Sequence, residues 1–101
     1  MMTDEQTARQ VGFRIHGRVQ GVGFRWWTRR TAAELGLCGV VMNRADGSVE
    51  VQAVGEAAAL QSFEARLAKG PPGSRVDGVD RIPSDHPLPA AFEIVSDFGS
   101  A

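Results

Sequence analysis

Three features of this 101-residue chain predict an α+β fold in which two helices cover one face of a mainly antiparallel sheet. Several short runs alternate apolar and polar residues. Two longer runs repeat apolar residues at helical spacing, and glycine- or proline-rich punctuation separates the runs. The resulting order is strand, helix, strand, strand, helix, strand, with a short last strand.

The first strand follows from Val11, Phe13, Ile15 and Val19 on one parity against Gln10, Arg14, His16 and Arg18 on the other. Phe24, Trp27, Thr31 and Leu35 then recur on one helical face, and Gly36 supplies the stop. The run "CGVVMN" (38–43) is short, apolar and β-branched, which predicts a second strand. Asp46-Gly47 marks a hairpin, and residues 48–55 resume alternation with Val49, Val51 and Ala53 on one face. Residues 56–69 read as a helix with Phe63 and Leu67 in the core, closed by "GPPG" (70–73). A strand over 75–82 has Val76 and Val79 out of phase, which predicts a bulge at Gly78. Residues 84–89 read as a loop and 91–98 as the last strand, with Phe92, Ile94 and Phe98 against Glu93 and Asp97.

Two interleaved βαβ units in this order make a ferredoxin-like α/β sandwich (βαββαβ plus a short C-terminal strand). Its uncovered sheet face is expected to be partly wet, presenting Arg14, His16, Glu50 and Gln52. The chain reads as one domain over 10–98, with a flexible N-terminal tail at 1–9 and a C-terminal tail at 99–101.

Composition narrows the class. Hydrophobic residues make up 43% and charged ones 23%, as in a globular domain, and eleven Lys+Arg against twelve Asp+Glu leave a net charge of -1. A nucleic-acid binder usually carries a basic excess, so anion recognition here is expected to be local. A single cysteine forbids an intramolecular disulfide, and neither a signal peptide nor a membrane-spanning run is visible. These features predict a cytoplasmic protein, monomeric by default, with neither nucleic acid nor membrane as partner.

The chemistry concentrates in "GRVQGVGFR" (17–25), between a strand and a helix start. The first amides of a helix lack internal acceptors, and its dipole is positive at that end. Gly21 and Gly23 permit positive φ, which lets consecutive amides converge on an anion, and Arg25 adds a planar cationic fork. Pattern alone leaves two readings open: a phosphate-sized anion site or a tight turn. The spelling matches neither G-x-x-x-x-G-K-[ST] nor a complete G-x-G-x-x-G, since Trp26 stands at the third glycine of the latter.

"GRVQGVGFRWWT" followed by "LGLCGVVMNRADGSVE" resembles the acylphosphatase family, whose motifs run G-x-V-Q-G-V-x-F-R and L-G-x-x-G-x-V-x-N-x-x-D-G-x-V. With "VGEAAALQSFEARLAKGPPGSRVDGV", the resemblance covers residues 11 to 98. It implies the same ferredoxin-like fold and hydrolysis of the carboxyl–phosphate bond of acyl phosphates without metal or cofactor; the lack of Asp, His, Ser or Cys within residues 19–25 separately predicts that no phosphoenzyme forms in this loop. The resemblance places Arg25 on the phosphate, with backbone from Gln20, Gly21, Val22, Gly23 and Phe24, and gives Asn43 the attacking water. Thr28, one turn from Phe24, is expected to support the loop by a backbone hydrogen bond. At Val40 the family often carries an aromatic residue, so altered packing beside Asn43 is expected.

Activated acyl phosphates suit a loop with no nucleophile, because a carboxylate leaves without much protonation and charge stabilisation can carry the reaction. Cys38 to Arg44 spells the C-x5-R of cysteine phosphatases, but "VVM" favours extended backbone and a hairpin follows, so Cys38 reads as a strand residue. His16 and His86 read as surface residues without metal-spaced partners. Of the two tryptophans, Trp27 shares the apolar stripe and Trp26 is expected outside. The alternative function is a non-catalytic ferredoxin-like module binding a small ligand or RNA, although strands one and three expose no aromatics. No specificity pocket is legible in the sequence, which predicts breadth toward the acyl group.

Overall fold

The chain, seen in a computed structural model, is described over residues 8–96. Its elements are β1 (Ala8–Arg18), α1 (Phe24–Glu34), β2 (Cys38–Asn43), β3 (Val49–Glu56), α2 (Ala57–Lys69), β4 (Arg75–Ile82) and β5 (Phe92–Ile94). β1 begins at Ala8, which pairs with Glu56, so residues 8 and 9 of the expected tail are strand. Residues 1–7 and 97–101 lie outside the described range, and with them Asp97 and Phe98 of the expected last strand.

The sheet order is β4-β1-β3-β2-β5. β1 runs antiparallel to both β3 and β4, β2 antiparallel to β3, and only β5 lies parallel to its neighbour, β2. Both helices cover one face, the ferredoxin-like arrangement read from the sequence. The alternation of β1 and β3 explains the sidedness: Phe13, Ile15, Val49, Val51 and Ala53 are fully buried under the helices. Phe63 of α2 is the hub, meeting Phe13 and Phe92 edge-on at ring distances of 6.2 and 6.0 Å. Such pairs add about 0.5–1.5 kcal/mol each beyond area burial.

α1 ends as its glycine requires. Gly36 N–H donates to Ala33 O at 3.1 Å and Leu37 N–H to Ala32 O at 2.9 Å, the paired bonds of a Schellman stop. The stripe of α1 is broader than the apolar pattern shows, because Thr28 and Ala32 are fully buried beside Phe24 and Thr31.

The phase problem of β4 resolves at a bulge one residue away from the expected position. His16 pairs with Gly78 and Gly17 with Val76, so Asp77 is the extra residue. That insertion lets Val76 and Val79 both pack on the core. Gly17 has φ 129°, and a Cβ there would lie 2.1 Å from Arg75 O, so the bulge requires glycine.

The second sheet face departs from expectation. Glu50 and Gln52 are buried, at 5% and 3% exposure, as are Val40 and Met42. The segment after β4 folds over them and is held by side chains: Ser84 Oγ donates to Gln52 Oε1 at 2.6 Å, and Gln10 Nε2 donates to Ser84 Oγ and His86 O. Glu50 keeps its charge partnered by Arg14 (3.2 Å) and Arg44 (3.6 Å), and Gln52 donates to its other oxygen. Alternation identified the polar parity correctly, but polar side chains paired with one another can be covered.

Candidate active site

Residues 19–23 connect β1 to α1 without entering either. Gly21 and Gly23 have φ of 75° and 77°, and a Cβ at either would meet nothing, so glycine serves the backbone conformation rather than a lack of space. Gly23 is the N-cap of α1, and no side chain caps the helix. The first helical bond runs from Trp27 N–H to Gly23 O at 3.0 Å. The amides of residues 21–26 thus have no acceptor among the described residues, and the positive end of α1 stands open.

Asn43 arrives from the opposite direction. It shares the parity of Val41, which faces the helices, and it ends β2 opposite Val49. Val19, Gly21, Gly23, Phe24, Arg25, Trp26 and Asn43 together line a cavity of about 80 Å³, enough for a phosphoryl group. Asn43 lines this cavity as a residue, and its Oδ1 is buried with no hydrogen-bond partner in the protein. Arg25 is exposed, and the ion pairs of the described residues do not include it. An unpartnered cation, an unpartnered acceptor and open amides therefore converge on one small cavity.

The expected residues do not all act alike. Gly21, Gly23 and Phe24 line the cavity, but the Phe24 ring is buried against Trp27 at 5.4 Å, so only its backbone faces an anion. Val22 is partly buried against the core. Gln20 has a side-chain role that the motif did not reveal. Its Nε2 donates to Arg44 O at 2.8 Å and Ser48 O at 2.9 Å, clasping the β2–β3 hairpin to the loop. Thr28 departs from expectation: its Oγ1 is buried without any partner, because the helix turns it toward the core. Val40 lies on the parity opposite Asn43, paired with Gln52, so its packing belongs to the covered face rather than to the neighbourhood of Asn43.

The hairpin itself is ordinary turn chemistry. Asp46 Oδ1 accepts from Ser48 N at 2.9 Å and from Ser48 Oγ at 2.6 Å, and these bonds hold its carboxyl below the usual 3.8. Cys38 is extended in β2, with Sγ donating to Ala90 O at 3.2 Å, so the C-x5-R spelling forms no phosphate loop. His16 pairs with Asp80 at 3.1 Å on the surface. Trp26 is the large exposed hydrophobic among the described residues, at 68%, while Trp27 packs on the core.

The acylphosphatase sequence profile matches residues 11–94 and so spans the loop, Asn43 and every helix and strand end to end from Val11. The chain belongs to the acylphosphatase family. An acylphosphatase from Rhizorhabdus wittichii is 55% identical over 73 residues, covering 70% of this chain and 74% of that one. The structure of an acylphosphatase from Coxiella burnetii superposes with a TM-score of 0.83 at 32% identity, covering 94% of this chain and all of that chain. The acylphosphatase crystal structure from Bacillus subtilis gives 0.76 at 40% identity, over 88% and 99%. Membership makes the chain an enzyme of the acylphosphatase class, and the reading as a non-catalytic binding module is not favoured.

Proposed function

We propose that this acylphosphatase cleaves acyl phosphates into a carboxylate and inorganic phosphate by direct attack of a positioned water, with Arg25 and the 21–26 amides on the phosphoryl group and Asn43 on the water. The observation that carries the assignment is the meeting of three unsatisfied groups at one cavity: Arg25, Asn43 Oδ1 and the open amides. Asn43 Oδ1 accepts a hydrogen bond from water and aims its lone pair at phosphorus. The new P–O bond forms as the P–O bond to the acyl oxygen breaks, and the carboxylate leaves with that electron pair. An amide is not a base, so the water's proton passes to a phosphoryl oxygen or to solvent. Arg25 and the helix amides take up the charge that grows on the equatorial oxygens, the main term in phosphoryl transfer.

Residue chemistry supports a reaction without metal or phosphoenzyme. Among the described residues no group of three His, Cys, Asp or Glu side chains could hold a metal ion, and the loop offers no nucleophile. The partners read as small acyl phosphates rather than nucleic acid or membrane, and the protein as a cytoplasmic monomer. Burial of Glu50 and Gln52 removes the open sheet face that RNA readers use, and among the described residues no helix is long and apolar enough to cross a membrane.

The test compares Arg25→Gln and Arg25→Lys with the unaltered, EDTA-treated protein on benzoyl phosphate and p-nitrophenyl phosphate. The unaltered protein is expected to turn over only the former. Both variants are expected to lose about 10²–10³ in rate and to bind inorganic phosphate more weakly, because lysine keeps the charge but not the planar fork. Near-full activity of Arg25→Gln would remove Arg25 from the site.

A further inference from the structure

A groove of about 480 Å³ opens beside the phosphate cavity and shares Gly23 and Trp26 with it. Its walls are Trp26, Trp27 and Ala33 on α1 and Pro71-Pro72 on the turn after α2. Gly23, Trp26, Arg30 and Ala33 stand three and four apart, so these lining residues form one continuous strip running away from the cradle. Arg29 and Arg30 border the strip. Arg29 is held over the Trp26 ring, 5.4 Å from its centre, whereas Arg30 is exposed and has no acidic partner among the described residues. No acidic residue lines the groove.

We infer that this groove receives the acyl group of the substrate and selects acyl phosphates with a flat apolar body and a second carboxylate at the far end, read by Arg30. The inference rests on the acyl-phosphate reading above. Three observations argue for that occupant. The groove is continuous with the phosphate cavity, so a substrate anchored by its phosphoryl group extends its acyl part into it. Tryptophan and proline faces offer flat apolar surface, which suits a ring or a planar chain. From Gly23 to Arg30 the helix advances ~10 Å at about 1.5 Å per residue, roughly the span from a phosphoryl group across a benzoyl ring to a carboxylate at its far end. Arg29 and Arg30 on the groove and Arg25 on the adjoining cavity are positive and in no ion pair among the described residues, and Glu34, one turn beyond Arg30, is engaged by Arg66 at 3.2 Å, so an acyl phosphate enters a favourable local field despite the net charge of -1.

The experiment measures kcat and KM for acetyl, benzoyl and 4-carboxybenzoyl phosphate with the unaltered protein, Arg30→Gln and Ala33→Trp. Ala33 and Arg30 are exposed helix positions outside the cradle, so both variants are expected to fold. In the unaltered protein KM is expected to fall roughly tenfold from acetyl to benzoyl, as the ring leaves water, and roughly three- to fivefold further for the carboxylated ring, the yield of a solvent-exposed ion pair. Arg30→Gln is expected to abolish only that last step. Ala33→Trp, which fills the groove, is expected to raise KM for both aromatic substrates and leave acetyl phosphate unchanged. Equal KM for the three substrates, or an Arg30→Gln effect of the same size on all of them, would overturn the groove assignment while leaving acyl-phosphate hydrolysis intact. Failure to hydrolyse even acetyl phosphate would instead overturn the activity on which the inference rests.

Discussion

Replacing Gln20 with leucine cuts the clasp between the phosphate loop and the hairpin that follows Asn43. The lost interactions are the Nε2 bonds to Arg44 O (2.8 Å) and Ser48 O (2.9 Å). Neither carbonyl is left bare, because Arg44 O still accepts from Gly47 N–H at 3.1 Å and Ser48 O from Arg44 N–H at 2.8 Å. The loss is thus two second bonds on already satisfied acceptors, near the low end of the usual range and about 1–2 kcal/mol together. For a domain of this length that corresponds to a Tm lower by about 5–15 °C. Activity is expected to fall further than stability suggests, because the clasp sets the distance between the open amides and Asn43. A misplacement of about 1 Å at such a site costs up to ~10² in rate. Gln20→Glu is expected to be worse on both counts, since it sets a carboxylate against two carbonyl oxygens. Thermal denaturation and kcat on benzoyl phosphate check both expectations. A leucine variant with unchanged Tm and full kcat would show that the clasp positions nothing.

Asn43→Ala is expected to lower kcat by about 10²–10³ while inorganic phosphate, as a competitive inhibitor, binds almost as before, because the lost group holds water rather than phosphate; equal loss of both would make Asn43 a loop-shaping residue. Gly17→Ala forces a Cβ to 2.1 Å from Arg75 O at a φ of 129° and is expected to destabilise the fold by about 2–4 kcal/mol in urea denaturation. Asp46 titrates below 3.8 when folded because of its bonds to Ser48, so its contribution to stability is complete above that value and lost as pH falls through the lowered one. Asp46→Asn is expected to lower Tm slightly across the neutral region and to flatten this part of the acid limb, so that its Tm–pH profile meets that of the unaltered protein at low pH.

Much of this protein was legible in its sequence because local physics and the fold agree. Parity in β1 and β3 identified the buried face, helical spacing identified Phe24, Phe63 and Leu67 as core, and glycine punctuation placed the turns. Two glycines and an arginine between a strand and a helix raised the anion site, and the second motif brought in Asn43. These signals are short-range: they depend on side-chain spacing and on the φ values a residue permits, and both can be read along the chain.

Tertiary structure decided what depends on residues distant in sequence. Glu50 and Gln52 were expected in water and are buried, because the segment carrying Ser84 crosses over them and their polar atoms satisfy one another and Arg14. Asp77, rather than Gly78, is the bulge, since register is a property of the β1–β4 pair and not of β4 alone. The amide of Gln20 reaches across 24 and 28 residues to the hairpin, a link no local pattern announces. The groove beside Trp26 exists only because Pro71-Pro72 lies against α1 after the chain has crossed the sheet. Sequence determined which side chains wanted burial and where the backbone turned; packing alone determined which polar groups met, because partners far apart along the chain are chosen by the closed fold.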